Sequence, residues 1–176
     1  MKRKSREATL NLVQGAIIAA LYVVVNYAQE MFFPTSTTGP VQFRISEILC
    51  TLVLFYPAAI PGVTLGCLLS NLGAVGVLPL DMVLGTTATL LAAICAYRLR
   101  NVKLFKIPVL SLFMPVIFNA VIIGLELEIF YIRSDSFFTG FMIQAGLVAL
   151  GEFVVCVLGG IPFYLLLSKT PIAKKN

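Results

Sequence analysis

The chain has 176 residues, of which 59% are hydrophobic and 12% are charged, and its formal net charge is +5. Soluble domains average about 45–50% apolar and about 25% charged residues, so this composition excludes a soluble catalytic or nucleotide-binding domain. The apolar runs are long and continuous, which excludes the alternating strands of an outer-membrane barrel. The sequence therefore predicts an all-α integral membrane protein.

Six apolar segments follow one another along the chain, and we interpret each as a membrane span. A spanning helix needs about 20 mostly apolar residues. The second segment is short because it ends at residues 56–62, which contain two prolines, so we expect the second and third spans to form a tight hairpin. The pattern predicts a single membrane domain over residues 1–176, with six transmembrane helices at about 10–30, 45–57, 61–78, 82–98, 107–131 and 141–167.

The basic residues lie on one side of these six spans. Eleven of the thirteen Lys and Arg residues lie at the two termini or in and beside the joint at 99–106, and only Arg44 and Arg133 lie opposite. Cytoplasmic loops are enriched in Lys and Arg, so both termini are predicted to be cytoplasmic. Since the basic residues are divided among short joints rather than gathered on one face, the sequence predicts a lipid bilayer and no nucleic acid as its surroundings.

The acidic residues have the opposite distribution. Only Glu7 lies on the predicted cytoplasmic side, and Glu126 and Glu152 lie inside spans. An ionisable group at membrane depth costs roughly 2.5–3.5 kcal/mol and usually faces a cavity or a partner. We therefore predict an acid-lined cavity that opens to the outside. The other acidic residues lie near outer helix ends or in an outer joint: Glu30, Glu47, Asp81, Glu128 and Asp135.

Four polar residues of the last two spans are candidates to converge on this cavity. Asn119 and Glu126 are seven residues apart and share one helix face, whereas Glu128 is expected to point away from it, toward the membrane interface. Gln144 and Glu152 lie on nearly the same face of the sixth span. Glu152 is the hardest to explain structurally, because neither a cap nor the membrane interface accounts for so deep a carboxylate.

Structural roles compete with a role in the cavity for several polar residues. Asn119 is able to hydrogen-bond another helix, which is worth about 1 kcal/mol in model systems. Asp81 stands at the N-cap position of the predicted fourth span. Arg44 and Glu47 are three residues apart, a spacing at which they can pair with each other at the start of the second span.

Small residues recur every four positions in three spans, and such stripes let helices approach closely. We interpret the stripes of the third and fourth spans as internal packing. The pair Ala16 and Ala20 forms an AxxxA pattern in the first span, and its spacing alone also indicates packing. The two longer stripes are Gly62, Gly66, Ser70 and Ala74, and Ala88, Ala92 and Ala96.

The sequence contains no motif for catalysis, a cofactor or a metal ion. It has no His, so a Ser/His or Cys/His pair is impossible and the usual metal clusters are absent. It has no GxxxxGK[ST] loop, so ATP hydrolysis by that route would have to occur in another subunit. A membrane enzyme or assembly factor is disfavoured for these reasons. The four cysteines are interpreted as small buried apolar side chains: Cys50, Cys67, Cys95 and Cys156.

Several segments of the chain resemble the QueT family, the queuosine-precursor S components of energy-coupling factor (ECF) transporters. Six short spans, cytoplasmic termini and an AxxxA pattern in the first span are also similar to ECF S components in general. The resemblance extends over nearly the whole chain. It is strongest in FRISEIL at 43–49, YPAAIPGVTLGCLLSNL at 56–72, DMVLGTTATLLAA at 81–93, NAVIIGLELE at 119–128 and GEFVVCVLGGIP at 151–162.

The resemblance implies a substrate-binding S component in the bacterial cytoplasmic membrane, with an ECF S-component-like bundle. Such a protein would capture a 7-deazaguanine, either a queuosine precursor or queuine, from outside. Its partners would be a transmembrane T component, contacted through Ala16 and Ala20, and two ATPase subunits that drive toppling of the S component. The alternative is a stand-alone carrier coupled to an ion gradient, with the carboxylates as proton relays.

A purine-like ligand suits the predicted cavity. A guanine-like edge presents two adjacent N–H donors, which one carboxylate can accept together. Glu152 or Glu126 is expected to bind this edge, with Asn119 assisting, and an aminomethyl precursor carries a cation that favours a second carboxylate. The remaining candidates are the polar residues Asn71, Gln144, Glu47, Asp81 and Arg44, and the aromatic residues Phe43 and Tyr131 for stacking.

Overall fold

The computed structural model describes residues 2–34, 36–37, 41–73 and 79–170, excepting the side chains of residues 2–4. Within these ranges the regular elements are all helices, and the extended pairing consists of one isolated bridge between Leu104 and Ile107. The predicted all-helical fold is confirmed.

The helices follow one another with short connections. The first is α1, Lys2–Phe32, and it is followed by a 3-10 helix, Ile45–Leu54. Two rods in the second half of the chain change their helical pitch without a break. The remaining helices are α2 (Ala59–Gly73), α3 (Pro79–Leu99), α4 (Val109–Glu126, continued by π-helical Leu127–Ile132) and α5 (Phe137–Glu152, continued by π-helical Phe153–Gly159 and by α6, Gly160–Ser168).

Four of these rods are long and apolar enough to cross a membrane, and the chain is therefore a multi-pass membrane protein. The 3-10 helix and α2 are also apolar but have only 10 and 15 residues. The four long rods are Ser5–Phe32, Pro79–Leu99, Val109–Ile132 and Phe137–Ser168.

The helix bounds differ from the predicted spans because hydropathy detects apolar residues and not the helical conformation itself. α1 extends well before residue 10 because its charged first turns contain good helix formers, which hydropathy does not detect. The predicted second span is a 3-10 helix, and it ends at Leu54 because the chain turns at Pro57. The end of the predicted third span, residues 74–78, lies outside the described residues.

Small residues pack α1 and α2 closely together. A Cβ atom on Gly66 would lie 2.6 Å from Cβ of Tyr22, and one on Gly62 would lie 2.8 Å from the carbonyl oxygen of Gly15. These contacts confirm internal packing for the described part of this stripe, and Ala74 lies outside it. The stripe of α3 is confirmed too, since Ala88, Ala92 and Ala96 are all buried.

Ala16 and Ala20 are exposed on the surface of α1. The helix packing that their spacing indicated therefore does not occur between α1 and another described helix of this chain.

Apolar clusters lie on both sides of a polar centre. One cluster joins the end of the 3-10 helix to α3, the first turns of α4, and α6 through Leu54, Leu112 and Tyr164. A second, smaller cluster joins α4 to α5 through Ile123 and Val148. The residues between these clusters are therefore far from either end of the continuous rods Val109–Ile132 and Phe137–Ser168.

Candidate functional site

Two buried carboxylates lie at the polar centre of the bundle. Glu47 of the 3-10 helix and Glu152 of α5 are each 1% exposed. Asn119 of α4 donates from Nδ2 to Oε1 of Glu152 (2.9 Å). Tyr22 of α1 donates its hydroxyl to Oε1 of Glu47 (2.6 Å), and Thr89 of α3 lies 3.3 Å from the same oxygen. Donors from three helices thus fix one oxygen of each carboxylate.

The other oxygen of each carboxylate faces a cysteine thiol. Cys50 Sγ lies 2.9 Å from Oε2 of Glu47, and Cys156 Sγ lies 3.3 Å from Oε2 of Glu152. Three of these residues, Glu47, Glu152 and Cys156, have ligand atoms within 4.8 Å of one another. The cysteines are buried as predicted, except for half-buried Cys95, but two of them contact carboxylates rather than only filling apolar space.

Arg44 is the cation of this centre. Its side chain is buried, and Nε donates to the carbonyl oxygen of Thr37 (3.1 Å). The guanidinium interacts electrostatically with Glu47 and Glu152, and also with Glu126. Glu47, with which the spacing allowed Arg44 to pair, is therefore one of three carboxyl groups that interact electrostatically with it.

The backbone that leads into the 3-10 helix is held on two sides. The Gln29 side chain of α1 donates to the carbonyl oxygen of Phe43 and accepts the Ile45 N–H (2.7 Å). On the other side, Gly151 of α5 lies directly against Gln42, whose carbonyl oxygen would overlap a Cβ atom at this position. These contacts hold the backbone on both sides of Arg44.

A second polar level lies two turns farther along α4, separated from Asn119 by Ile123. Glu126 and Gln144 are 3% and 6% exposed, and Oε1 of each has no hydrogen-bond partner among the residues that the structure describes. The rise of about 1.5 Å per residue puts this level about 10 Å from Asn119. Two buried acceptors therefore point to a donor that the described part of the chain does not supply.

Asp81 belongs to this outer level. It accepts the Tyr131 hydroxyl at Oδ2 (2.5 Å), and its carboxyl group interacts with that of Glu126. The N-cap prediction for Asp81 is wrong, because α3 already begins at Pro79 and Asp81 lies in its first turn. Proline is favoured there, since the first helical N–H has no partner in any case.

Glu128 and Glu30 stabilise the connections that follow α4 and α1. Glu128 is buried and accepts bonds from the backbone N–H (2.7 Å) and the hydroxyl (3.0 Å) of Ser134, in the turn before α5. It lies in the π-helical turn Leu127–Ile132, and its orientation toward the membrane interface stays a prediction. Glu30 accepts the Thr37 hydroxyl.

The other predicted residues divide between the two levels. Asn71 and Arg44 approach each other across Gly85, where a Cβ atom would lie 3.1 Å from Asn71 Nδ2 and 3.8 Å from Arg44 Nη1. Phe43 is half-buried against the cluster that contains Cys156, whereas Tyr131 is 45% exposed at the outer end.

The structure thus gathers Glu152, Asn119, Glu47, Arg44, Phe43 and Asn71 at one level and Glu126, Gln144, Asp81 and Tyr131 at the other. Tyr22, Thr89, Cys50 and Cys156 are additions that the sequence did not predict.

The chain is a bundle of membrane-spanning helices that encloses buried ionisable groups. Such groups within spans mark a substrate or ion pathway, so the fold and the site are those of a membrane transporter. The QueT transporter family matches residues 12–169, and the chain belongs to this family. It is 29% identical over 163 residues to the Queuosine precursor transporter QueT of Lactococcus lactis subsp. cremoris (strain MG1363), which covers 88% of this chain and 90% of that protein. No solved structure matches the chain. The family resemblance seen in the sequence is confirmed.

Proposed function

We propose that this protein is the substrate-binding S component of an ECF importer in the bacterial cytoplasmic membrane and that it captures a 7-deazaguanine from outside. The name of the Lactococcus relative supports a queuosine precursor as the substrate. The observation that carries the proposal is the buried group formed by Glu152, Asn119, Glu47 and Arg44. In this proposal the chain is one membrane domain with six spans and cytoplasmic termini, although its second and third spans are short.

The deep level offers the complement of a guanine-like edge. Glu152 accepts the two adjacent N–H donors of the base, and its bond with Asn119 fixes the plane of the carboxylate. Arg44 is the donor for the carbonyl oxygen of the base, since guanidinium groups donate in several directions. Phe43 provides an aromatic face at this level.

The outer level supports a ligand with a second polar end. The unpartnered oxygens of Glu126 and Gln144 lie about two helical turns from the deep level, which is the scale of a substituted bicyclic base. A substituent that carries N–H donors, above all an aminomethyl cation, would satisfy these acceptors and offset the charge of Glu126. An unmodified guanine would leave them unsatisfied at a cost of about 1–3 kcal/mol.

The first test is ligand binding to the purified chain in detergent, with queuine, the aminomethyl precursor and guanine as competitors. We expect saturable binding of a 7-deazaguanine with at least tenfold preference over guanine, because about 1.4 kcal/mol corresponds to tenfold. A folded protein that binds none of the three would contradict the proposed substrate and leave the membrane transporter class intact.

The partner part of the proposal rests on the small, exposed surface at Ala16 and Ala20 of α1. Small residues let another helix approach closely, so this surface suits the T component of the transporter. We expect the double substitution Ala16→Leu and Ala20→Leu to reduce co-purification with the T component and ATPase subunits at least tenfold while ligand binding by the isolated chain persists. Val83→Leu, on an exposed face of α3, is the matched control and is expected to leave assembly intact.

An uptake experiment separates the importer from a stand-alone, ion-coupled carrier. Uptake by cells that lack the ATPase and T subunits should fall to background if the chain is an S component. Uptake that persists there and collapses with the proton gradient would instead favour the carrier, with Glu126 and Asp81 as its proton relay.

A further inference from the structure

The deep level contains a set of metal-ligand atoms that its hydrogen bonds have already oriented. Oε1 of Glu47 is fixed by Tyr22, and Oε1 of Glu152 is fixed by Asn119, so that Oε2 of each carboxylate is turned toward a thiol, that of Cys50 or of Cys156. Outer hydrogen bonds of this kind hold carboxylate ligands in place around protein-bound metal ions.

A small cavity borders three residues of this set, Glu47, Cys50 and Cys156. Its volume is about 10 Å³, and its polar lining consists of Glu47, Cys50, Thr51, Ser111 and Cys156. A cavity of this size holds a single water-sized occupant. Ser111 is 1% exposed, and its hydroxyl has no hydrogen-bond partner within the described part of the chain. The cavity thus contains a buried oxygen that an occupant would satisfy.

We propose that this site binds one Zn²⁺ ion through Glu47, Glu152 and Cys156, with Cys50 as the nearest further thiol. Zinc prefers tetrahedral sites of sulfur, nitrogen and oxygen ligands at about 2.0–2.3 Å. Ligand atoms around such a centre are about 3.3–3.8 Å apart, and the three here already lie within 4.8 Å of one another. Side-chain shifts of about 1 Å therefore suffice to close the site around the ion.

Charge and donor chemistry both favour this ion over a hard cation. Two carboxyl groups and a thiol are available to the ion, and each group that binds zinc gives up its proton to the solvent. Thiolate ligands select zinc and softer ions, whereas Mg²⁺ and Ca²⁺ require oxygen ligands throughout. The proposed zinc site therefore differs in donor chemistry from the residues proposed to bind the base, although both sets include Glu47 and Glu152.

The test uses the full-length protein in detergent, with no deazaguanine present, and Cd²⁺ as a spectroscopic substitute for Zn²⁺. We expect one ion per chain by equilibrium dialysis, an ultraviolet cadmium–thiolate charge-transfer band, and loss of that band when excess Zn²⁺ is added. Cys156→Ala is expected to weaken binding at least tenfold, because losing even an outer-shell partner typically costs about 10–100-fold. Cys95→Ala is the matched control and should retain both stoichiometry and affinity.

Cys50→Ala shows whether removal of any buried thiol at this centre abolishes binding through misfolding. It leaves the three proposed ligands in place, so it should retain both the ion and the band. Absence of a saturable band in the unmodified protein, or a band that Cys156→Ala leaves unchanged, would overturn the zinc site.

If the proposed function also holds, zinc and the 7-deazaguanine compete for Glu47 and Glu152. Zinc binding without deazaguanine binding would contradict only the proposed substrate, and the reverse result would contradict only the zinc site.

Discussion

Replacing Glu152 by Gln is expected to weaken 7-deazaguanine binding about 100-fold or more. The substitution preserves the shape of the side chain and its ability to accept the Asn119 N–H, but it replaces one accepting oxygen with a donor and removes the charge. Truncating one partner of a buried, charge-assisted pair typically costs about 2–5 kcal/mol, and about 1.4 kcal/mol is tenfold in affinity. Calorimetry or a fluorescence competition assay in detergent measures the effect directly.

Glu128→Gln is the matched control for this experiment. Glu128 is also buried, but its two bonds go to Ser134 in an outer turn rather than to the centre of the bundle. We expect its affinity to stay within about threefold of the unmodified protein, which is less than 1 kcal/mol. Equal affinities for Glu152→Gln, Glu128→Gln and the unmodified chain would remove Glu152 from the leading role in recognition.

The helical fold could be predicted because the membrane imposes it. A chain in hydrocarbon must satisfy its backbone hydrogen bonds internally, so each long apolar run becomes a helix and hydropathy locates it. The pitch of the helices was not predictable from hydropathy. The 3-10 turns at Ile45–Leu54 and the π-helical turns after Glu126 and Glu152 depend on packing between helices, which leaves no local pattern in the sequence.

The sequence predicted that the candidate site lies deep within the spans, but it predicted only some of the residues that contact its two carboxyl groups. Glu152 and Asn119 were identified because their polarity has no local explanation inside an apolar span, and their bond joins residues 33 positions apart. Tyr22 contacts Glu47 across 25 positions, and the Cys156 thiol contacts the Glu47 backbone across 109. Tyrosine and cysteine are common in apolar helices, so nothing in the sequence distinguishes these two from ordinary core residues.

The error for Asp81 has a simple physical origin. The N-cap prediction depended on the exact residue at which α3 begins, and sequence patterns locate helix ends only to within a few residues. Polar residues at helix ends are therefore less reliable guides to a site than polar residues in the middle of a span.

Gly151→Ala is expected to weaken ligand binding at least tenfold, although Gly151 need not contact the ligand. A methyl group there would overlap the backbone carbonyl of Gln42, and a backbone segment cannot move aside as the end of a flexible side chain can. The backbone segment that carries Arg44 must shift, and the electrostatic interaction between Arg44 and Glu152 weakens with it. Overpacking of this kind also costs typically about 1–3 kcal/mol of stability.

Gly146→Ala separates this effect from the general consequence of replacing a helical glycine. Gly146 lies in the same helix, and a Cβ atom there would have nothing within 4 Å. In that variant we expect unchanged affinity and a slightly higher melting temperature, because alanine favours a helix over glycine by about 1 kcal/mol. Reduced affinity and a lower melting temperature in Gly151→Ala alone would mean that recognition depends on contact between α5 and the Gln42 backbone. Equal affinities and melting temperatures of the two variants would mean that Arg44 is positioned independently of α5. The role of Arg44 in binding the base would then have to be tested by substituting Arg44 itself.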